Sequence, residues 1–155
     1  MGGASLEHNR ITRNLSGVFY NLFKNDVNYE SFHNDLRVYD AVSSSCCYPD
    51  IVVVEDEPLF VDTQFDTLAN PVFIAEVLSP ATEARDKIEK FEIYKSIPSL
   101  KEYMLVAQDR AFVRLYKKIA PNHWEFFEFN LSDEPIPVIE NKFSISLKDI
   151  YKKIF

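Results

Sequence analysis

The sequence predicts an α/β (α+β) domain whose order is helix, three strands, helix, strand, followed by a hairpin and a short C-terminal helix around a mixed sheet. Three observations carry this expectation. Apolar residues near the N-terminus recur at helical spacing. Two apolar runs, at 51–54 and 72–75, are strand-sized and too short for typical helices. A stretch of good helix formers then separates the second run from several alternating segments. With 155 residues, 46% of them hydrophobic, the chain can build one core but not two, so residues 1–155 are expected to form a single domain.

The first helix is marked by Ile11, Leu15, Val18, Phe19, Leu22 and Phe23 on one face, behind Ser5 as N-cap and Glu7 in the first turn. After the turn-like Asn25-Asp26, residues 29–42 alternate, with Leu36 and Val38 opposite Arg37 and Tyr39, as in a half-buried strand. Pro49-Asp50 leads into the β-branched run Ile51-Val52-Val53-Val54, the second strand. A longer connection through Asp62 and Asp66 ends at Asn70-Pro71, and residues 72–78 form the third. Ser79-Pro80 is a helix-entry signal, and residues 82–95 follow with Ala84, Ile88 and Phe91 on one stripe, expected to be buried on the sheet. Residues 101–108 and 111–117 flank Asp109-Arg110 as a hairpin, residues 123–129 add a further strand, and Leu147, Ile150, Tyr151 and Ile154 mark a short helix at 146–154.

Composition excludes several classes of protein. No apolar stretch approaches the roughly 20 residues that span a bilayer, so no membrane partner is expected. The N-terminus lacks the basic and apolar regions of a secretory signal, which predicts a cytoplasmic location. Cys46 and Cys47 are adjacent, a spacing that suits neither a structural disulfide nor a zinc site. The formal charge of −7 is unusual for a protein that binds phosphates, but residues 83–118 hold nine Lys or Arg against six Asp or Glu. The basic charge therefore lies in the segment expected to carry chemistry.

That chemistry centres on two carboxylates. Asp50 stands at the mouth of one central strand, and Glu76 interrupts an apolar run in the next. A buried carboxylate must be paired, hydrogen-bonded or metal-bound, because uncompensated burial costs several kcal/mol. Two such groups on adjacent strands would converge on one divalent cation through hard oxygen ligands. The following helix carries Asp86, Lys90 and Tyr94 at i, i+4 spacing, so all three project from one face toward the strand ends.

Pro49-Asp50, the run Glu76-Val77-Leu78-Ser79-Pro80, the Asp86, Lys90, Tyr94 helix and the block Ser99-Leu100-Lys101-Glu102-Tyr103 together resemble the Uma-type restriction endonuclease family of the PD-(D/E)xK superfamily. The resemblance extends from about His8 to Lys117 and implies a restriction-endonuclease-like core, whose order agrees with the one read from periodicity. It implies an endonuclease that hydrolyses phosphodiester bonds of DNA with Mg²⁺, or Mn²⁺ in its place, held by Asp50, Glu76 and the backbone carbonyl of Val77. The superfamily lysine stands two residues after the acid, where this chain has Leu78, so the resemblance moves the lysine role onto Lys90. Asp86, Tyr94 and His8 become supporting residues, with His8 as a substrate contact. Family members begin with an additional strand segment before the helix that starts near His8. Only a few residues precede it here, so that segment is expected to be missing.

Plainer readings compete with these. Glu76 and Lys90 could form a structural ion pair. His8 could be a solvated helix-start residue, and His33 and His123 are expected at the surface. Ser79 lacks a nucleophile elbow and suits helix capping. The acidic loop from Glu55 to Asp66 lacks the spacing and glycine of a calcium loop. Trp124, Phe126, Phe127 and Phe129 are expected to serve the core rather than to stack on bases. At the level of function, the alternative is a catalytically silent binding or regulatory module on the same fold. A homodimer is an expectation the sequence leaves open, since enzymes that cut both strands of a duplex often pair.

Overall fold

The structure is a computed structural model that describes residues 5–33, 35–40, 45–61, 66–81, 83–133 and 135–155. Helix α1 (Leu6–Phe23) begins where Ser5 accepts a hydrogen bond from the His8 backbone N–H, with Glu7 in the first turn, and buries Ile11, Leu15, Phe19 and Phe23. Strands follow at β1 (Tyr29–His33), β2 (Arg37–Asp40), β3 (Ser45–Cys47), β4 (Ile51–Glu55), β5 (Thr67–Leu68) and β6 (Pro71–Leu78). A helical stretch comprises α2 (Glu83–Arg85), a π-helical turn (Asp86–Lys90) and α3 (Phe91–Tyr94). Then come β7 (Glu102–Ala107), β8 (Phe112–Ala120), β9 (His123–Asn130), β10 (Ile136–Val138), β11 (Phe143–Ile145) and α4 (Leu147–Ile150).

The main sheet has the order β1-β4-β6-β7-β8-β9. All neighbours are antiparallel except β6 and β7, which run parallel because the helical stretch carries the chain back across the sheet. The mixed sheet and the helix–three strands–helix–strand order are therefore present. Period-two alternation in β6 then builds two cores. Phe73, Ala75 and Val77 face α1, α4 and the β10–β11 hairpin, while Ile74 and Leu78 face Tyr94, Tyr103 and Leu105. Glu76 falls on this second side, in register with Leu105.

Three expectations need correction. The alternating stretch at 29–42 is not one strand: Asp35 has φ of 57°, β1 pairs with β4, and β2 leaves for a small sheet of order β3-β2-β5. Ala84 and Ile88 do not join Phe91 against the sheet, and Ile88 is 67% exposed. A π-helical turn holds one residue more than an α-turn, so positions before it rotate out of the stripe that Phe91 and Tyr94 continue. Phe126 and Phe127 are 54% and 42% exposed because β9 is one of the two outer strands of the sheet, and they lie under the cations of Arg114 and Lys117.

The C-terminal segment locks onto the sheet through Tyr151. Its hydroxyl has one proton to share between the carbonyls of Ala107 (2.7 Å) and Phe112 (2.8 Å) and accepts the Phe112 N–H at 3.2 Å. Burial pushes this phenol well above its ordinary range, so it remains a donor. Tyr151→Phe is expected to lower unfolding free energy by about 1–2 kcal/mol in urea denaturation. A variant indistinguishable from wild type would mean that the clasp contributes nothing.

Candidate active site

The register that sets Ile51 against Ala75 places Asp50, one residue before β4, beside Glu76 on β6. Asp50 Oδ2 accepts the Val77 backbone N–H at 2.8 Å, so its side chain extends the ladder where the strand itself has ended. Its other oxygen, Oδ1, lies 3.6 Å from His8 Nε2 in the first turns of α1. The Asp50 carboxylate beside it raises the affinity of His8 for a proton, with partial burial opposing it. Thr12 donates to the His8 carbonyl at 2.8 Å and stands 3.5 Å from Nδ1. His8 thus stands beside Asp50, with its side chain about one-quarter exposed.

Glu76 is 3% exposed and accepts three donors. Tyr94 Oη reaches Oε1 at 2.7 Å, while Tyr103 Oη and Lys90 Nζ reach Oε2, each at 3.1 Å. Burial pushes this carboxyl above the ordinary glutamate range, and Lys90 and the Tyr94 hydroxyl pull it part of the way back. Burial and the neighbouring Glu76 carboxylate drive the Tyr94 phenol upward, which keeps it a donor. Lys90 ends the π-helical turn with its side chain about one-third exposed and its ammonium anchored on a buried acid.

Asp50, Glu76, Lys90, Tyr94, His8 and the backbone of Val77 therefore meet in one place. Asp86 sits in the π-helical turn, and its side-chain contacts lie outside the described structure. The sequence reading missed Tyr103 as a site residue. It lies in the block Ser99 to Tyr103, and the available signal was a hydroxyl in an apolar strand next to one that buries an acid.

The donor chemistry suits a hard divalent cation. Two carboxylates face each other across adjacent strands against one lysine, and Glu76 keeps acceptor capacity beyond its three donors. Among the described residues, no three His, Cys, Asp or Glu side chains converge as a metal cluster. The remaining ligands would have to be backbone oxygen and water, an arrangement Mg²⁺ commonly accepts.

A family model, Uma2, described as "Putative restriction endonuclease", matches residues 1–148. The chain belongs to the Uma2 family. Two uncharacterized proteins of Synechocystis sp. (strain ATCC 27184 / PCC 6803 / Kazusa) are similar to it. One, sll1609, is 42% identical over 80% of this chain and 70% of its own length; the other, slr1290, is 34% identical over 86% and 68%. The fold of this Uma2 chain also matches the crystal structure of "a putative nuclease belonging to DUF820" from Anabaena variabilis ATCC 29413. The TM-score is 0.72 at 19% identity, over 97% of this chain and 83% of that one. A likeness at that identity speaks for the fold alone. No helix among the described residues is long and apolar enough to cross a membrane.

Proposed function

We propose that this chain is a Mg²⁺-dependent nuclease that hydrolyses phosphodiester bonds of DNA, with Asp50, Glu76 and Lys90 as its catalytic residues. The observation that supports this most is the position of Lys90. Although the family-superfamily lysine position holds Leu78, an ammonium still reaches the buried acid, at 3.1 Å from Glu76 Oε2, with Asp50 alongside. Asp50, Glu76 and the Val77 carbonyl would hold the cation, with Mn²⁺ as a substitute. When bound, it would supply Lewis-acid stabilisation of charge on the phosphoryl group.

The protein's own groups account for the remaining work. Lys90, whose side chain is about one-third exposed, would donate toward a non-bridging phosphate oxygen or the attacking water and offset negative charge as it builds on phosphorus. Tyr94 and Tyr103 hold the Glu76 carboxylate in one orientation, and the Val77 N–H does the same for Asp50. His8 Nε2 stands 3.6 Å from Asp50 Oδ1 on the opposite side, where its ring would meet substrate at the rim.

Cleavage of supercoiled plasmid and single-stranded oligonucleotides in Mg²⁺ or Mn²⁺ tests this reading. Wild type is expected to cut, and Glu76→Ala and Asp50→Asn to lose cutting by at least about 10²-fold with the fold intact by circular dichroism. A folded wild type with neither cleavage nor calorimetric metal binding would instead establish the silent binding module.

A further inference from the structure

A glutamate carboxylate offers four lone-pair positions, two on each oxygen. Three of those on Glu76 are filled. Tyr94 Oη takes one on Oε1, while Tyr103 Oη and Lys90 Nζ take both on Oε2. Among the described residues nothing takes the fourth, on Oε1. A cation at this carboxylate is therefore bound through one oxygen, unless Tyr103 or Lys90 is displaced.

Tyr103 is not easily displaced. It is fully buried, its ring lies parallel to Phe91 with centroids 6.1 Å apart, and Tyr94 meets it edge-on at 5.1 Å. Tyr116 stacks beside it at 6.0 Å. The hydroxyl is thus held on Oε2 by the packing of a whole aromatic row.

Mg²⁺ completes a tight octahedron with carboxylates that each give one oxygen, whereas Ca²⁺ takes six to eight oxygens and gains from carboxylates that give two. Resting on the assignment of Asp50 and Glu76 as cation ligands, we propose that Tyr103 is a positioning residue that restricts Glu76 to one-oxygen ligation and so sets the site's preference for Mg²⁺ and Mn²⁺ over Ca²⁺.

Calorimetric titration of the full chain with the chlorides of Mg²⁺, Mn²⁺ and Ca²⁺ tests this without turnover. Tyr103→Phe opens Oε2 and is expected to raise the ratio of Ca²⁺ to Mg²⁺ affinity on the order of tenfold, the lower end of what partners of metal ligands carry. Tyr94→Phe removes a hydroxyl from the same carboxylate but opens only a second position on Oε1, so it leaves the ratio unchanged. Lys90→Met also opens Oε2, from a partly exposed site, and reads the same effect if Tyr103→Phe does not fold. A ratio unmoved by a folded Tyr103→Phe, or by Lys90→Met where Tyr103→Phe does not fold, or moved equally by Tyr94→Phe, overturns the inference and leaves the metal assignment standing. A folded wild type that binds no divalent cation overturns both.

Discussion

Replacing Lys90 by methionine is expected to slow phosphodiester cleavage by about 10²–10³-fold with KM little changed, equivalent to about 3–4 kcal/mol of transition-state stabilisation. Methionine approximates the length of the lysine stem and lacks its charge and donors. Lys90 Nζ stands 3.1 Å from Glu76 Oε2 on a side chain about one-third exposed, so its removal takes away the ammonium proposed to meet the phosphate. An ion pair of purely structural value would behave differently, losing stability while turnover per folded molecule stayed the same. Single-turnover rates beside denaturation midpoints separate the two. A kcat within about threefold of wild type would remove Lys90 from the catalytic set.

The same substitution has a pH signature. Burial already holds the Glu76 carboxyl above the ordinary glutamate range, and Lys90 is the largest influence that lowers it. Without the lysine, the carboxyl moves higher still. A group whose folded value is raised binds protons more tightly in the folded state. Its contribution is fully present below the unfolded value and is lost as pH rises through the folded one. Urea denaturation between about pH 5 and 8 should therefore show Lys90→Met losing stability with rising pH more steeply than wild type. An equal or opposite slope would mean that Glu76 does not depend on Lys90 for its charge.

Much of this arrangement is legible in the sequence because the central strands are short, apolar and flanked by clear breaks. Asp50 before one β-branched run and Glu76 inside the next are conspicuous, and antiparallel pairing of β4 with β6 does bring them together. Helical spacing likewise places Lys90 and Tyr94 on one side, and both reach Glu76. What periodicity does not encode is the partner of a strand or a change of helical pitch. The alternation of residues 29–42 persists through the break at Asp35, so nothing in it separates β1 from β2. The π-helical turn at Asp86–Lys90 leaves Ile88 exposed without altering its spacing in the sequence. The aromatic run on β9 reads as core because hydrophobicity alone cannot tell an outer strand from an inner one. Tyr103 was hidden for a related reason: its role depends on β6 and β7 being parallel neighbours with Glu76 within reach, a relation between strands set by the crossover.

The largest effect on stability is expected at Glu102, away from the candidate site. This residue opens β7, is buried, and accepts the backbone N–H groups of Ile139 and Glu140, each at 2.7 Å. Those residues and Asn141 form three successive left-handed positions, with φ of 54°, 55° and 63°. Such a conformation is costly for a β-branched isoleucine, at about 1–3 kcal/mol. The carboxylate offsets that strain by receiving two donors that β10 and β11 cannot satisfy between themselves. Glu102→Ala removes both acceptors and is expected to cost about 2–4 kcal/mol, since the buried Ile139 N–H left unpaired costs about 1–3 kcal/mol and the part-buried Glu140 N–H adds less. Glu102→Gln keeps one acceptor oxygen and should fall between. Burial raises the Glu102 carboxyl above its ordinary range, partly offset by the two N–H groups, so its protonated form contributes stability at low pH that is lost as pH rises through the folded value. Because glutamine does not titrate, Glu102→Gln should flatten that part of the pH profile while leaving cleavage per folded molecule intact. Urea midpoints for the two variants decide the matter. A loss below about 0.5 kcal/mol in Glu102→Ala would mean that water or a rearranged turn satisfies the same groups, and that the left-handed run stands without its carboxylate.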